Sequence, residues 1–116
     1  MMVEAKLVTI EELKTDIVAD AQHLPLKSES FGMVLMDPPY STKELVRYLG
    51  KKIRFSIYKS LDEAKRVVKL GGYIVLLHTL IPKHLGRDKF RRVATIGIST
   101  GPNKHIRCVT IFRRYR

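Results

Sequence analysis

The sequence has few of the features that tie a chain to an oxidising compartment or to a membrane. Cys108 is its one cysteine, so an internal disulfide is excluded and a reducing, intracellular setting is expected. No apolar run approaches the ~18 residues that cross a bilayer, and the run at residues 73–77 has the length of a strand. Glu4, Glu11 and Glu12 lie near the N-terminus, where no signal-peptide pattern is found. We therefore expect a cytoplasmic protein with no membrane partner.

Metal ligands and, in most of the chain, acidic residues are also scarce. The four histidines lack metal-ligand spacing, so no metal site is predicted. Residues 41–116 contain nineteen Lys and Arg against four Asp and Glu, a net charge of +15, whereas residues 1–40 have a net charge of −4. This asymmetry favours a polyanionic partner such as nucleic acid. The alternative is a solvated surface of the Lys-rich kind found in thermophilic proteins.

The length and the apolar pattern predict one α/β domain spanning residues 1–116. Short apolar runs predict strands at residues 5–10, 17–19, 33–36 and 73–77, and alternation predicts an antiparallel hairpin of strands 93–100 and 106–112. Helices are predicted at residues 42–49 and 57–68, the second one capped by Gly71. The expected fold is a mostly parallel, doubly wound sheet with a C-terminal antiparallel hairpin. Strand 33–36 is expected at its centre, covered on both faces.

The sharpest local signal is the tetrapeptide Asp37-Pro38-Pro39-Tyr40, which follows the predicted central strand. The prolines remove two N–H donors and fix φ, so the backbone turns here and directs the Asp37 carboxylate and the Pro38 carbonyl. An exocyclic NH2 group has two hydrogens to donate, and a carboxylate together with a carbonyl can accept both. Tyr40 offers a ring on which a flipped base can stack. The alternative is a Pro-Pro pair that merely ends a buried strand.

This tetrapeptide resembles the fourth motif of class I, Rossmann-like S-adenosylmethionine-dependent methyltransferases that modify amino groups of nucleic-acid bases. Residues 19–26 and 30–37 are similar to the stretch between the third and fourth motifs of that family, although Leu26 and Gly32 replace its Phe and Asp. Residues 66–73 resemble the end of the helix before the family's fifth strand, and the closing hairpin resembles its last two strands. The resemblance implies an N-terminally shortened Rossmann-like methyltransferase fold.

The resemblance also implies a reaction and a set of site residues. The cofactor would be S-adenosylmethionine, and the substrate would be an exocyclic amino group of a nucleic-acid base, with adenine N6 favoured. Asp20 would accept a hydrogen bond from the cofactor's adenine amino group, and the Ala21 N–H would meet the ring nitrogen. The implied catalytic residues are Asp37, Pro38, Pro39 and Tyr40, and the implied cofactor-binding residues are Asp20, Ala21 and Asp37.

One expected feature of this family is missing from the sequence. None of the seven glycines forms the Gly-x-Gly loop that packs against the methionine part of the cofactor. Either the cofactor site is degenerate, which would leave a nucleic-acid-binding module, or a second chain completes it. We expect a homodimer, or a partner subunit, to cover the face that the lost helix would leave bare. Phosphate contacts are predicted for Lys83, Lys89, Arg91 and Arg92, with solvated surface charge as the alternative.

Overall fold

The computed structural model describes residues 16–38 and 55–116, which form one sheet with one helix packed on it. The strands are β1 (Phe31–Met36), β2 (Val68–His78), β3 (Phe90–Ile98) and β4 (Arg107–Arg114), and helix α1 (Ile57–Val67) lies between β1 and β2 in the chain. The strand order across the sheet is β1-β2-β4-β3. The β1–β2 pair is parallel, whereas β4 runs antiparallel to both β2 and β3.

Helix α1 forms where the sequence combines a capping serine with an apolar stripe. The Ser56 hydroxyl accepts a hydrogen bond from the Lys59 N–H at 3.4 Å, and so caps one of the free N–H groups of the first turn. Leu61 and Ala64, one turn apart, are buried against the sheet. The core that they enter consists of Ile74, Leu76, Phe112 and their neighbours on the same face of the sheet. The predicted helix at residues 57–68 is thus present, one residue shorter.

The predicted fold class is wrong. A doubly wound parallel sheet needs a helical crossover after most strands, but residues 79–89 join β2 to β3 without a helix. The link at residues 99–106 is too short for a crossover, so β4 returns as an antiparallel strand between β2 and β3. Two of the three strand pairs are antiparallel. The described residues therefore form a small mixed sheet, and the same finding overturns the identification with the Rossmann-like methyltransferase family.

Several elements also differ from their predictions. Residues 17–19 are irregular and exposed rather than a strand, and β1 pairs only with β2 within the described part of the chain. Met33 and Leu35 of β1 are exposed, so the described residues do not cover this strand on both faces. The antiparallel pairing of β3 with β4 agrees with the predicted hairpin. The predictions for residues 5–10 and 42–49 lie outside the described residues.

Strand β2 contains a local irregularity that sets its register against β1. Phe31 pairs with Val68 but Met33 pairs with Tyr73, so β2 has three more residues than β1 between these two pairs. Gly71 has φ of +80° within this stretch, a conformation that favours glycine. It lies inside the strand rather than at the helix end, where it was predicted, because α1 already stops at Val67.

The two faces of the sheet differ in what covers them. One face is packed against α1 and contains the buried side chains of Ile74, Leu76 and Phe112. The register places Leu35, Val75 and Ile111 on the opposite face, together with Ile96 on β3. Leu35 and Ile96 are 72% and 53% exposed, respectively. We call this second surface the open face.

Candidate functional site

Asp37 and Pro38 lie at the carboxyl end of β1, beside a cavity of about 360 Å³. Its volume is within the range of small-molecule sites. Its walls are mainly apolar and come from three segments: the end of β1, the loop at residues 20–26, and residues 55–64, most of which belong to α1. The lining residues are Ala21, Leu24, Val34, Leu35, Met36, Asp37, Pro38, Phe55, Ser60 and Ala64.

Arg107 pairs with Asp37, one of the residues that line this cavity. Its Nη2 lies 3.2 Å from Asp37 Oδ1, although the two residues are seventy positions apart in sequence. They meet because β4 begins at Arg107, at the end of the sheet where β1 finishes. A carboxylate has two oxygen atoms, so this pairing orients the group and leaves Oδ2 as an acceptor. No local pattern in the sequence marks Arg107, which is one of many arginines near the C-terminus.

The loop that supplies Ala21 to the cavity begins with a tight turn at Asp20. The Gln22 N–H donates to Asp20 Oδ1 at 2.9 Å, and the His23 N–H donates to the Asp20 carbonyl at 3.0 Å. The backbone hydrogen bond from Gln22, followed by one from its side chain, lowers the pKa of the Asp20 carboxyl below its usual value. The Asp20 carboxylate therefore stabilises its own turn, and a ligand contact through Oδ1 would compete with Gln22.

Hydrogen bonds with Glu63 and Arg66 of α1 hold this loop against the helix. The Leu24 N–H donates to Glu63 Oε2 at 2.7 Å, and Arg66 donates to both Glu63 oxygens at 2.8 Å. Arg66 also donates to the carbonyls of Leu24 and Leu26 at 3.1 and 2.8 Å. The hydrogen bonds from Arg66, and then that from Leu24, lower the pKa of Glu63 to about 2. These contacts fix the distance between the loop and the helix, and hence the width of the cavity.

The structure brings together some of the predicted site residues and separates others. Ala21, Asp37 and Pro38 line one cavity, and Asp20 lies next to it in the adjoining turn. Pro39 and Tyr40 lie outside the described residues. Phe55 and Ser60 also line the cavity, but no sequence pattern predicts this role. Phe55 precedes the helix, and Ser60 is a polar residue among the apolar positions of the helix.

The predicted phosphate-binding residues do not surround this cavity. Arg91 pairs with Arg113, which pairs with Tyr73, whereas the Asp37 end of β1 lies beside Leu76. Three to four residues of strand, about 10–13 Å, separate these two levels of the sheet. Arg91 and Arg92 lie at the start of β3, and Lys83 and Lys89 belong to the link that precedes it.

Comparison with known proteins gives no family for the chain. No protein-family model matches the sequence, and no curated protein matches it significantly. Across residues 16–38 and 55–116, no group of three or more His, Cys, Asp or Glu side chains is placed to hold a metal ion. Within the same residues, α1 is too short and too polar to cross a membrane.

Proposed function

We propose that this protein methylates an exocyclic amino group of a nucleic-acid base, with adenine N6 favoured, and uses S-adenosylmethionine as the methyl donor. The observation that carries the proposal is the placement of Asp37 and Pro38 at an apolar cavity, with the Asp37 carboxylate held by Arg107. The basic charge of residues 41–116 supports a nucleic-acid substrate.

The proposed role of Asp37 and Pro38 is to orient the amine. The two N–H groups donate to Asp37 Oδ2 and to the Pro38 carbonyl, which directs the nitrogen lone pair away from the ring plane. S-adenosylmethionine, when bound, supplies an electrophilic methyl group. The amine nitrogen would accept that methyl group, the sulfur would leave as an uncharged thioether, and the proton lost by the nitrogen would pass to water. The chain contributes by positioning rather than by covalent catalysis.

The cavity suits a flat heterocycle better than it suits the whole cofactor. Its apolar walls, including Ala21, Met36 and Phe55, match the faces of a purine ring. The sequence has no Gly-x-Gly segment to pack against the methionine part of the cofactor. This favours a second candidate function, a nucleic-acid-binding module or subunit that does not bind the cofactor on its own.

Methyl transfer and cofactor binding test the two candidates together. Labelled S-adenosylmethionine is incubated with the chain and with single-stranded or duplex nucleic acid, and calorimetry measures cofactor binding to the isolated chain. Transfer of label to a base amino group supports the enzyme. Nucleic-acid binding without cofactor binding or transfer supports the module, and cofactor binding that requires a second protein supports the subunit.

The variant Asp37→Ala tests the proposed orientation of the amine. Loss of one charged acceptor costs about 1.5–3 kcal/mol, so the methylation rate should fall roughly ten- to a hundred-fold. The matched control is Asp62→Ala, which removes a carboxylate that is 73% exposed on α1 and pairs with Lys65 at 3.5 Å. The control should retain the wild-type rate. An unchanged rate in Asp37→Ala would reject the proposed role of Asp37.

We also propose that a second copy of the chain, or a partner subunit, covers the apolar part of the open face. Leu35 and Ile96 leave much of their side chains in contact with water there. Contiguous apolar surface of this kind commonly marks an interaction site. Sedimentation at micromolar concentration tests self-association.

A further inference from the structure

We propose that a row of tyrosine and arginine side chains on the open face binds single-stranded nucleic acid. The row consists of Tyr73, Arg113, Arg91 and Tyr115, and we call it the Arg–Tyr row. It deepens the proposed function by locating a contact for the nucleic-acid substrate, and it lies away from the cavity beside Asp37. It does not depend on methyl transfer, because binding can be measured without the cofactor.

Strand register places the members of the row side by side. Tyr73 on β2 lies opposite Arg113 on β4, which lies opposite Arg91 on β3. Residues directly opposite each other share a face of a sheet, and here that face is the open one. Tyr115 follows β4, and its backbone N–H donates to the Lys89 carbonyl at 2.9 Å, which holds it beside the start of β3.

The guanidinium groups of the row stack on its rings. Arg91 Cζ lies 4.5 Å from the centre of the Tyr115 ring, and Arg113 Cζ lies 5.9 Å from the centre of the Tyr73 ring. Arg116 approaches the Tyr115 ring as well, at 5.6 Å. These cation–π contacts hold the arginines across the surface and leave their N–H groups able to bind an anion.

The two arginines of the row have no acidic partner among residues 16–38 and 55–116. The ion pairs formed there involve Lys65, Arg66, Arg107 and Arg114 instead. Like charges placed directly opposite each other on neighbouring strands destabilise a sheet. Arg91 and Arg113 occupy such positions, and a phosphate bound between them would relieve their repulsion.

Single-stranded nucleic acid fits this combination of groups best. Its phosphates can pair with Arg91 and Arg113, and its unstacked bases can lie on aromatic rings. Tyr73 is 39% exposed, so part of its ring is open to such a base. A duplex would offer phosphates but keep its base faces stacked inside. From β2 to β3 the row spans two strand spacings, about 10 Å, which limits it to one or two nucleotides.

The test measures binding of a labelled, unstructured oligonucleotide of about twelve nucleotides by fluorescence anisotropy, without cofactor. The double variant Arg91→Gln/Arg113→Gln should weaken binding about ten-fold or more. The slope of log affinity against log salt concentration should decrease in magnitude by about 1.4, because each phosphate contact on a single strand contributes about 0.7 to it. The matched control, Lys59→Gln/Lys104→Gln, removes two exposed charges that lie outside the row and should change affinity less than about three-fold.

A second pair of variants separates stacking from charge. Tyr73→Leu keeps an apolar side chain but removes the ring, and should weaken binding about five-fold or more without changing the salt dependence. Tyr73→Phe keeps the ring and should bind as wild type. Three results would each overturn the proposal. The two charge variants could lose affinity equally, Tyr73→Leu could bind as tightly as wild type, or a duplex of the same length could bind as tightly as the single strand. If variants of the row lose no nucleic-acid affinity but the chain still methylates its substrate, the proposal for the row is rejected and the proposed reaction is not.

Discussion

At the residue scale, Glu63 connects the cavity-forming loop to α1 through a charge that depends on pH. Its pKa is about 2 in the folded chain, below the ordinary value of 4.5, because Arg66 and the Leu24 N–H donate to its carboxylate. A carboxyl group whose pKa is lowered by folding stabilises the fold above its ordinary pKa. This contribution is lost as the pH falls from about 4.5 towards 2.

We predict that Glu63→Gln lowers the free energy of unfolding by about 1–2 kcal/mol at pH 7, since glutamine can still accept from Leu24 but cannot form the ion pair. The difference from wild type should shrink as the pH falls below about 4.5. Denaturant unfolding at pH 7 and at successively lower pH measures it. Asp62→Asn serves as the control, because an exposed pair should contribute little at any pH. A Glu63→Gln difference that stays constant down to pH 2 would contradict the stated cause.

The sequence predicts part of the cavity and misses the contacts that shape it. Asp37-Pro38 stands out because two consecutive prolines after an apolar run are locally distinctive. Arg107 does not stand out, because its pairing with Asp37 depends on how β4 enters the sheet. Asp20 was predicted as a ligand contact, and that prediction stays untested, although the structure shows its carboxylate bonded within its own turn.

At the scale of elements, α1 and the β3–β4 hairpin were predictable because their signals are local. Helical spacing of apolar residues and strict alternation each reflect the geometry of a single element or of neighbours joined by a short turn. The direction and order of strands reflect contacts across the whole chain, and the fold class was wrong at that level. Residues 17–19 show a related limit, since a three-residue apolar run becomes a strand only if a partner strand accepts its hydrogen bonds.

Gly72 provides an element-scale prediction about the register of β1 and β2. A Cβ at this position would lie 2.7 Å from the Gly32 carbonyl oxygen and 2.9 Å from that of Lys69, both backbone atoms. We expect Gly72→Ala to lower the free energy of unfolding by about 1–3 kcal/mol, because the strands must move apart to admit the methyl group.

Thermal or denaturant unfolding measures this effect, with Gly97→Ala as the matched control. A Cβ at Gly97, also within a strand, would meet nothing closer than Ile106 Cγ2 at 3.6 Å, which is ordinary van der Waals contact. The control should change stability by less than about 0.5 kcal/mol. Similar effects of the two substitutions would show that the close approach of Gly32 to Gly72 does not set the register.

At the scale of the whole molecule, the open face combines two surfaces with different chemistry. The Arg–Tyr row occupies the end of this face near Tyr73, and the apolar side chains Val75, Leu77 and Ile96 follow along the strands towards the other end. A second copy of the chain could cover the apolar end without covering the row. The net charge of +11 opposes association of two copies, so self-association should strengthen as salt screens that repulsion.

We predict that the chain dimerises at micromolar concentration and that Ile96→Glu weakens the dimer at least about ten-fold, since a carboxylate would be buried there without a partner. Sedimentation equilibrium at two salt concentrations measures the association. Tyr58→Glu is the matched control, because Tyr58 is 64% exposed on α1, which packs on the other face of the sheet. Higher salt should tighten the wild-type dimer, whereas it should weaken nucleic-acid binding at the row. If the wild-type chain stays monomeric at both salt concentrations, a partner subunit remains the proposed cover of the apolar end. If Ile96→Glu and Tyr58→Glu weaken the dimer equally, the dimer contact lies elsewhere.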